Sequence, residues 1–221
     1  MRPSLRRLLP LLLVCLAPVA ALASPLHDAV RRNDADAATR LLGEGAAVDA
    51  EDGEGLRPLH FAAMQASIDV VRLLVNAGAA VDAASKSGVT PLHVAVQAGR
   101  TAVVELLLER GANPDLRNEA KAAPLAIAVG DGRLDLAERL LARGAAVDVR
   151  NQHDATPLHI AAEVGSVDVA EALVAAGASL NAVNKVGSSP QDLLADGNPV
   201  AATLRAARDA RARTPAATPQ P

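Results

Sequence analysis

The chain contains no tryptophan, no tyrosine and a single phenylalanine, Phe61. Aromatic side chains usually supply much of the buried area of a core. Half of the 221 residues are nonetheless apolar. A core of Ala, Leu and Val in that proportion suits thin layers in close contact and argues against one thick globule. A strong charge of one sign is also missing, with 22 basic residues against 25 acidic ones. No cationic excess points to nucleic acid.

Cysteine is nearly absent, and the one present, Cys15, lies in the opening stretch MRPSLRRLLPLLLVCLAPVAALAS. Arg2, Arg6 and Arg7 form a basic start, Leu8 to Ala20 is apolar, and Ala21-Leu22-Ala23 is a small-x-small site. This is the layout of a secretory signal peptide. A membrane span needs roughly 20 apolar residues, whereas Pro10 and Pro18 interrupt this run. Val14 is too bulky for lipoprotein processing at Cys15. Cleavage after Ala23 is therefore expected, leaving 19 basic and 25 acidic residues, a net charge of −6 and no cysteine. Such a chain has no disulfide to rely on, and its stability must come from packing. The Ala/Arg-rich composition suggests a bacterium with a GC-rich genome, so the expected destination is the periplasm.

Enzyme signatures are missing too. There is no Gly-rich phosphate loop, HExxH or GxSxG, and no cysteine nucleophile after residue 23. Asp131, Asp135 and Glu138 lack the spacing of a calcium loop. No catalytic residue, metal or cofactor is expected.

What the chain does have is repetition. Prolines fall at 25, 58, 91, 124, 157 and 190, always 33 residues apart. Gly45, Gly78, Gly111, Gly144 and Gly177, each followed by Ala, keep the same interval, as do Asp49, Asp82, Asp115, Asp148 and Asn181. Three series in one phase mean a solenoid of stacked units. Pro58, Pro91 and Pro157 suit the first turn of a helix, where a missing N–H costs nothing. Thr90 and Thr156 can cap that helix. Ala29, Ala62, Ala95, Ala128 and Ala161 are small enough for layers to approach. A second helix carries pairs such as Leu41-Leu42, Leu107-Leu108 and Leu140-Leu141. Gly78, Gly111, Gly144 and Gly177 then end it in the left-handed conformation. An extended turn follows and projects as a finger.

The segments GVTPLHVAVQAG with LLLERGA, and ATPLHIAAEVG with ALVAAGA, resemble the ankyrin repeat. The resemblance covers residues 24 to about 205. It implies an all-α solenoid of five full 33-residue helix-turn-helix repeats, about 24–55, 56–88, 89–121, 122–154 and 155–187, plus a truncated capping repeat at 188–205. Residues 206–221 read as a disordered tail. Arg31, Arg32, Asn33 and Asp34 read as the water-facing side of an N-terminal cap, and Gln191 and Asp192 as a polar closing face.

His27, His60, His93 and His159 each sit two residues after a repeat proline. Metal binding needs several ligands converging on one ion, whereas these lie in separate layers. A ring nitrogen bonded to nearby backbone or to the capping Thr is the expected role, as is usual for the family. Ala126 replaces the histidine in the fourth repeat, which should be locally softer. Phe61 shares its position with Val94, Ile127 and Ile160 and reads as core.

A stack of this kind binds through its concave face, made of fingers and first helices. Residues that vary there within a fixed frame are Arg57, Met64, Gln65, Lys86, Gln97, Arg100, Lys121, Asp131, Arg133, His153 and Glu163. Hot spots favour Trp, Tyr and Arg, so Arg57, Arg100 and Arg133 are the expected anchors of a polar, salt-sensitive interface. Two roles fit: partner or protector of another exported protein, or an inhibitor or immunity protein that blocks an exported toxin or enzyme. The acidic first finger, Glu51, Asp52 and Glu54, suits the second. Delivery into a host cell is a third, weakened by the cleavable leader. The expected partner is a protein. Neither nucleic acid nor, once the leader is removed, membrane is expected, and the chain alone should be a monomer.

Overall fold

Proline and cap residues set the phase of every layer. The computed structural model describes residues 24–194 and 198–213, and the expected leader at 1–23 lies outside them. Five helix pairs follow one another at the proline interval: α1 (Pro25–Arg31) with α2 (Ala35–Gly43), α3 (Pro58–Gln65) with α4 (Ile68–Asn76), α5 (Pro91–Gln97) with α6 (Thr101–Glu109), α7 (Pro124–Gly130) with α8 (Leu134–Ala142), and α9 (Pro157–Val164) with α10 (Val167–Ala175). A 3-10 turn (Pro190–Leu193) and α11 (Val200–Arg213) close the stack. No strand occurs among the described residues.

α1, α3, α5, α7 and α9 pack on one another as an inner layer, and α2, α4, α6, α8 and α10 as an outer layer that α11 continues. Small side chains permit the close inner packing. Ala29, Ala62, Ala95, Ala128 and Ala161 are all fully buried, beside Leu26, Leu59, Leu92, Leu125 and Leu158. The outer layer contributes Leu74, Leu107, Leu140 and Leu173, also fully buried. The fold is the all-α solenoid that the repeat period implies.

One expectation at the ends needs correction. A disordered tail was expected from 206, but α11 continues to Arg213. Val200 and Leu204 are buried against the fifth pair, and the Ala/Arg-rich residues beyond them propagate the helix that this anchor nucleates. Residues 214–221 lie outside the described residues. The closing unit is thus truncated in its inner helix, which is a single 3-10 turn, and not in its outer one. At the other end, Arg32 and Asn33 face water and Arg31 and Asp34 are half-buried, and three of these residues also make contacts within the fold. Asp34 caps α2 by accepting the Ala37 N–H at 2.8 Å. Asn33 Oδ1 accepts the Ser67 N–H at 2.7 Å. Arg31 lies over the Phe61 ring, 4.2 Å from its centroid.

Candidate protein-binding face

Each finger is a tight turn closed by a backbone bond, as from the Ser85 N–H to the Val89 carbonyl at 2.9 Å and from the Asn151 N–H to the Ala155 carbonyl at 3.0 Å. The first residue of each tip organises the turn through its side chain. Asp52 Oδ1 accepts from the N–H groups of Glu54 and Leu56, and Asn151 Oδ1 from those of His153 and Ala155. Successive fingers are joined edge to edge: Lys86 N–H to Glu54 O, Glu119 N–H to Ser87 O, Gln152 N–H to Ala120 O and Lys185 N–H to His153 O, each at 3.0–3.1 Å. That approach explains Gly88, where a side-chain carbon would stand 3.1 Å from Asn118 Cα. The repeated aspartates have their own task. Asp49, Asp82, Asp115 and Asp148 each accept the N–H of the residue 31 positions on.

The repeat histidines tie inner helix to neighbouring layer. The backbone N–H of Thr90 donates to His93 Nδ1 at 3.2 Å, and the Thr90 hydroxyl approaches the same nitrogen at 2.8 Å. With Nδ1 accepting, Nε2–H donates to the Ala122 carbonyl at 3.0 Å, 29 residues away. His27, His60 and His159 bridge to Leu56, Val89 and Ser188 in the same way. Burial lowers the pKa of all four below the ordinary histidine value, which matches neutral rings. Ala126 has no such ring, and Ala123 offers no side-chain cap to α7.

Several residues expected to meet a partner are instead occupied within the stack. Arg100 donates to the carbonyls of Met64 at 3.3 Å and Ala66 at 2.6 Å, closing the C-terminal end of α3. The Arg133 guanidinium lies in the space that a side chain at Gly99 would need, and stands 3.9 Å from Asp131. Arg57 pairs with Glu51 at 2.9 Å, and its backbone N–H is held by His60 Nδ1. Arg57 and Arg100 are therefore tied within the stack by a carboxylate and by carbonyls, whereas Arg133 has only the Asp131 carboxylate of its own turn and stays half-exposed. Lys86 donates its ammonium to the Gly53 carbonyl at 2.6 Å. Met64 is half-buried against the core. Gln65 reaches the Arg31 carbonyl at 3.4 Å, and His153 contacts Gln152 at 3.2 Å. Asp52 is only 7 % exposed, so the acidic first finger presents Glu51, which is paired with Arg57, and Glu54.

Gln65, Lys86, Gln97, Lys121, Asp131 and Glu163 are all exposed, the last four with no hydrogen bond to another layer among the described residues, and partial desolvation raises the Glu163 carboxyl above its usual range. Gln97 and Glu163 end inner helices, and Lys121 sits on the third fingertip. Asp131 and Arg133 lie in the turn between α7 and α8, at the far end of the inner helices from the fingers. The structure adds apolar side chains that sequence reading passed over. Val164, Val183 and Val186 are 50, 51 and 82 % exposed, all in the fifth repeat. A valine in a valine-rich chain carries no local mark of exposure. The signal available is its place in the 33-residue phase, at an inner-helix end or in a finger, where other repeats carry polar groups or alanine.

Among the described residues no helix is long and apolar enough to cross a membrane, and no group of three or more His, Cys, Asp or Glu side chains could hold a metal ion. A family model described as ankyrin repeats (3 copies) matches residues 26–118 and 110–184. A search of curated proteins returned no match.

Proposed function

The chain belongs to the ankyrin-repeat family, whose repeats in general mediate protein–protein contacts, and on that premise we propose that it is an exported, non-catalytic scaffold that binds another protein across its fingers and inner helices. One observation carries this reading. The repeated side chains are consumed inside the stack, while the unpaired ones on this face differ from layer to layer. Gln97, Lys121 and Glu163 supply polar contacts, and Val164 and Val186 an apolar end. A graded surface of this kind suits a partner with both polar and apolar contacts. Export rests on the basic, apolar and small-x-small order of residues 1–23, and the periplasm is the compartment we favour. The role we favour is partner or protector of another exported protein. The inhibitor reading rests on the acidic first finger, where Asp52 is spent on the turn itself and the exposed Glu51 is partly neutralised by Arg57. We therefore place it second.

Crosslinking and capture from native periplasm, with mature protein as bait, tests the proposal. A parallel bait carrying Gln97→Ala, Glu163→Arg, Val164→Glu and Val186→Asp changes only exposed residues. One dominant protein captured by the first bait and lost with the second is the expected result. Equal capture by both would move binding to another face, and recovery of the protein only from cytoplasm would refute export.

A further inference from the structure

We propose that the stack has a built-in hinge between its fourth and fifth helix pairs, at residues 154/155, with the fingers as its axis. The polar ties between layers are unevenly placed. Between the first and second pairs, the His27 bridge and the Asn33–Ser67 bond lie on the helical side. Between the second and third are the His60 bridge, Arg100 on Met64 and Ala66, and Arg110 on Asn76 at 2.8 Å. The third and fourth share the His93 bridge, Thr101 with Asp135 at 3.0 Å, and the Arg139–Glu105 and Arg143–Glu109 pairs. The fifth pair and the closing unit share the His159 bridge and Asn198 on the Ala162 carbonyl at 2.7 Å.

The interface between α7–α8 and α9–α10 differs. Ala126 removes the bridge that would reach residue 155, and no side-chain bond or ion pair joins these four helices. All its polar ties are in the fingers: Lys185 N–H to His153 O at 3.0 Å, Arg150 to the Val183 carbonyl at 2.7 Å, and Asp148 to the Ser179 N–H at 3.0 Å. Apolar packing continues through the interface, but it is non-directional and permits sliding. Directional bonds along one edge only leave the other edge free to open. The face made by the fingers and inner helices crosses this line, so opening changes the distance between Gln97 on one side and Glu163 and Val164 on the other. This inference is independent of what the face binds.

Native-state hydrogen exchange on the mature protein tests it. The expected profile is a step at 154/155, with residues 155–213 exchanging together through an opening easier than that of 24–154. A double variant, Ala123→Thr with Ala126→His, restores the cap and the bridge to the Ala155 carbonyl. It should slow exchange of the 155–213 block by about fivefold, the scale of one net hydrogen bond, and leave 24–121 unchanged. A second variant, Thr90→Ala with His93→Ala, removes the same bridge one layer earlier, where three outer-helix ties remain. The step should stay at 154/155. Uniform protection along the wild-type stack, a gradient that frays residue by residue from Arg213, or a step that moves to 121/122 in the second variant would each overturn the hinge.

Discussion

Each repeat histidine is a neutral ring held from both sides, and its value lies in that pairing. His60 accepts the Arg57 N–H at 3.0 Å and donates to the Val89 carbonyl at 2.9 Å. Replacing it by Ala leaves a cavity and two buried backbone groups unsatisfied. The expected cost is about 3 kcal/mol, read as a lower denaturation midpoint with unchanged slope. Lys121 illustrates the opposite case. It takes φ 54° at the position where other fingers place Gly55, Gly88 and Gly187. A residue with a Cβ pays roughly 1–2 kcal/mol there, and Gly gives part of this back through its greater unfolded entropy. Lys121→Gly should therefore stabilise the protein by about 0.5–1 kcal/mol in chemical denaturation. A loss of stability would mean that the Lys121 side chain makes a contact worth more than the strain.

At the scale of elements, the inner helices are short and depend on what closes their ends. α3 ends at Gln65, and the guanidinium of Arg100 from the next layer covers its last carbonyls, a favourable place for a cation. Arg100→Ala should cost about 1–2 kcal/mol. Arg100→Lys should recover little, because one ammonium on a flexible stem does not reproduce a planar fork spanning two carbonyls. Full recovery by Lys would reduce the interaction to simple charge. The fingers show the same dependence between elements. Each is a small turn, and its bonds to the finger before it make it part of a continuous edge.

At the scale of the whole molecule, the four bridging histidines couple stability to pH. Their folded pKa values lie below the ordinary 6.5 because burial disfavours the charged ring. The unfolded chain therefore binds protons that the folded chain refuses. Stability is fully present above about pH 6.5 and is lost as pH falls through 6.5 toward the folded values. Thermal melts should show Tm constant from pH 8 to 7 and falling between 6.5 and 5. A flat Tm across that window would mean that the rings protonate without breaking their bridges. Glu163, with its raised carboxyl, acts in the opposite sense, but as a single group at a lower pH.

The solenoid was legible in the sequence because its determinants are local and repeat. Pro91 starts a helix, Ala95 lets the next layer approach, and Gly111 at φ 87° ends the outer helix; each acts within a few residues of itself. The structural role of the histidines was legible for the same reason, since Nδ1 faces a group three residues away. The binding face was not. Arg100 and Asp52 look like surface residues in sequence, and the structure spends them internally. The partners of Arg100 lie in the adjacent layer, Ala66 being 34 residues before it, whereas Asp52 is taken up by its own turn. The period tells which positions become neighbours across layers. Whether a given side chain reaches its neighbour's backbone, or is left to water as Val186 is, depends on distances that exist only once the layers have stacked.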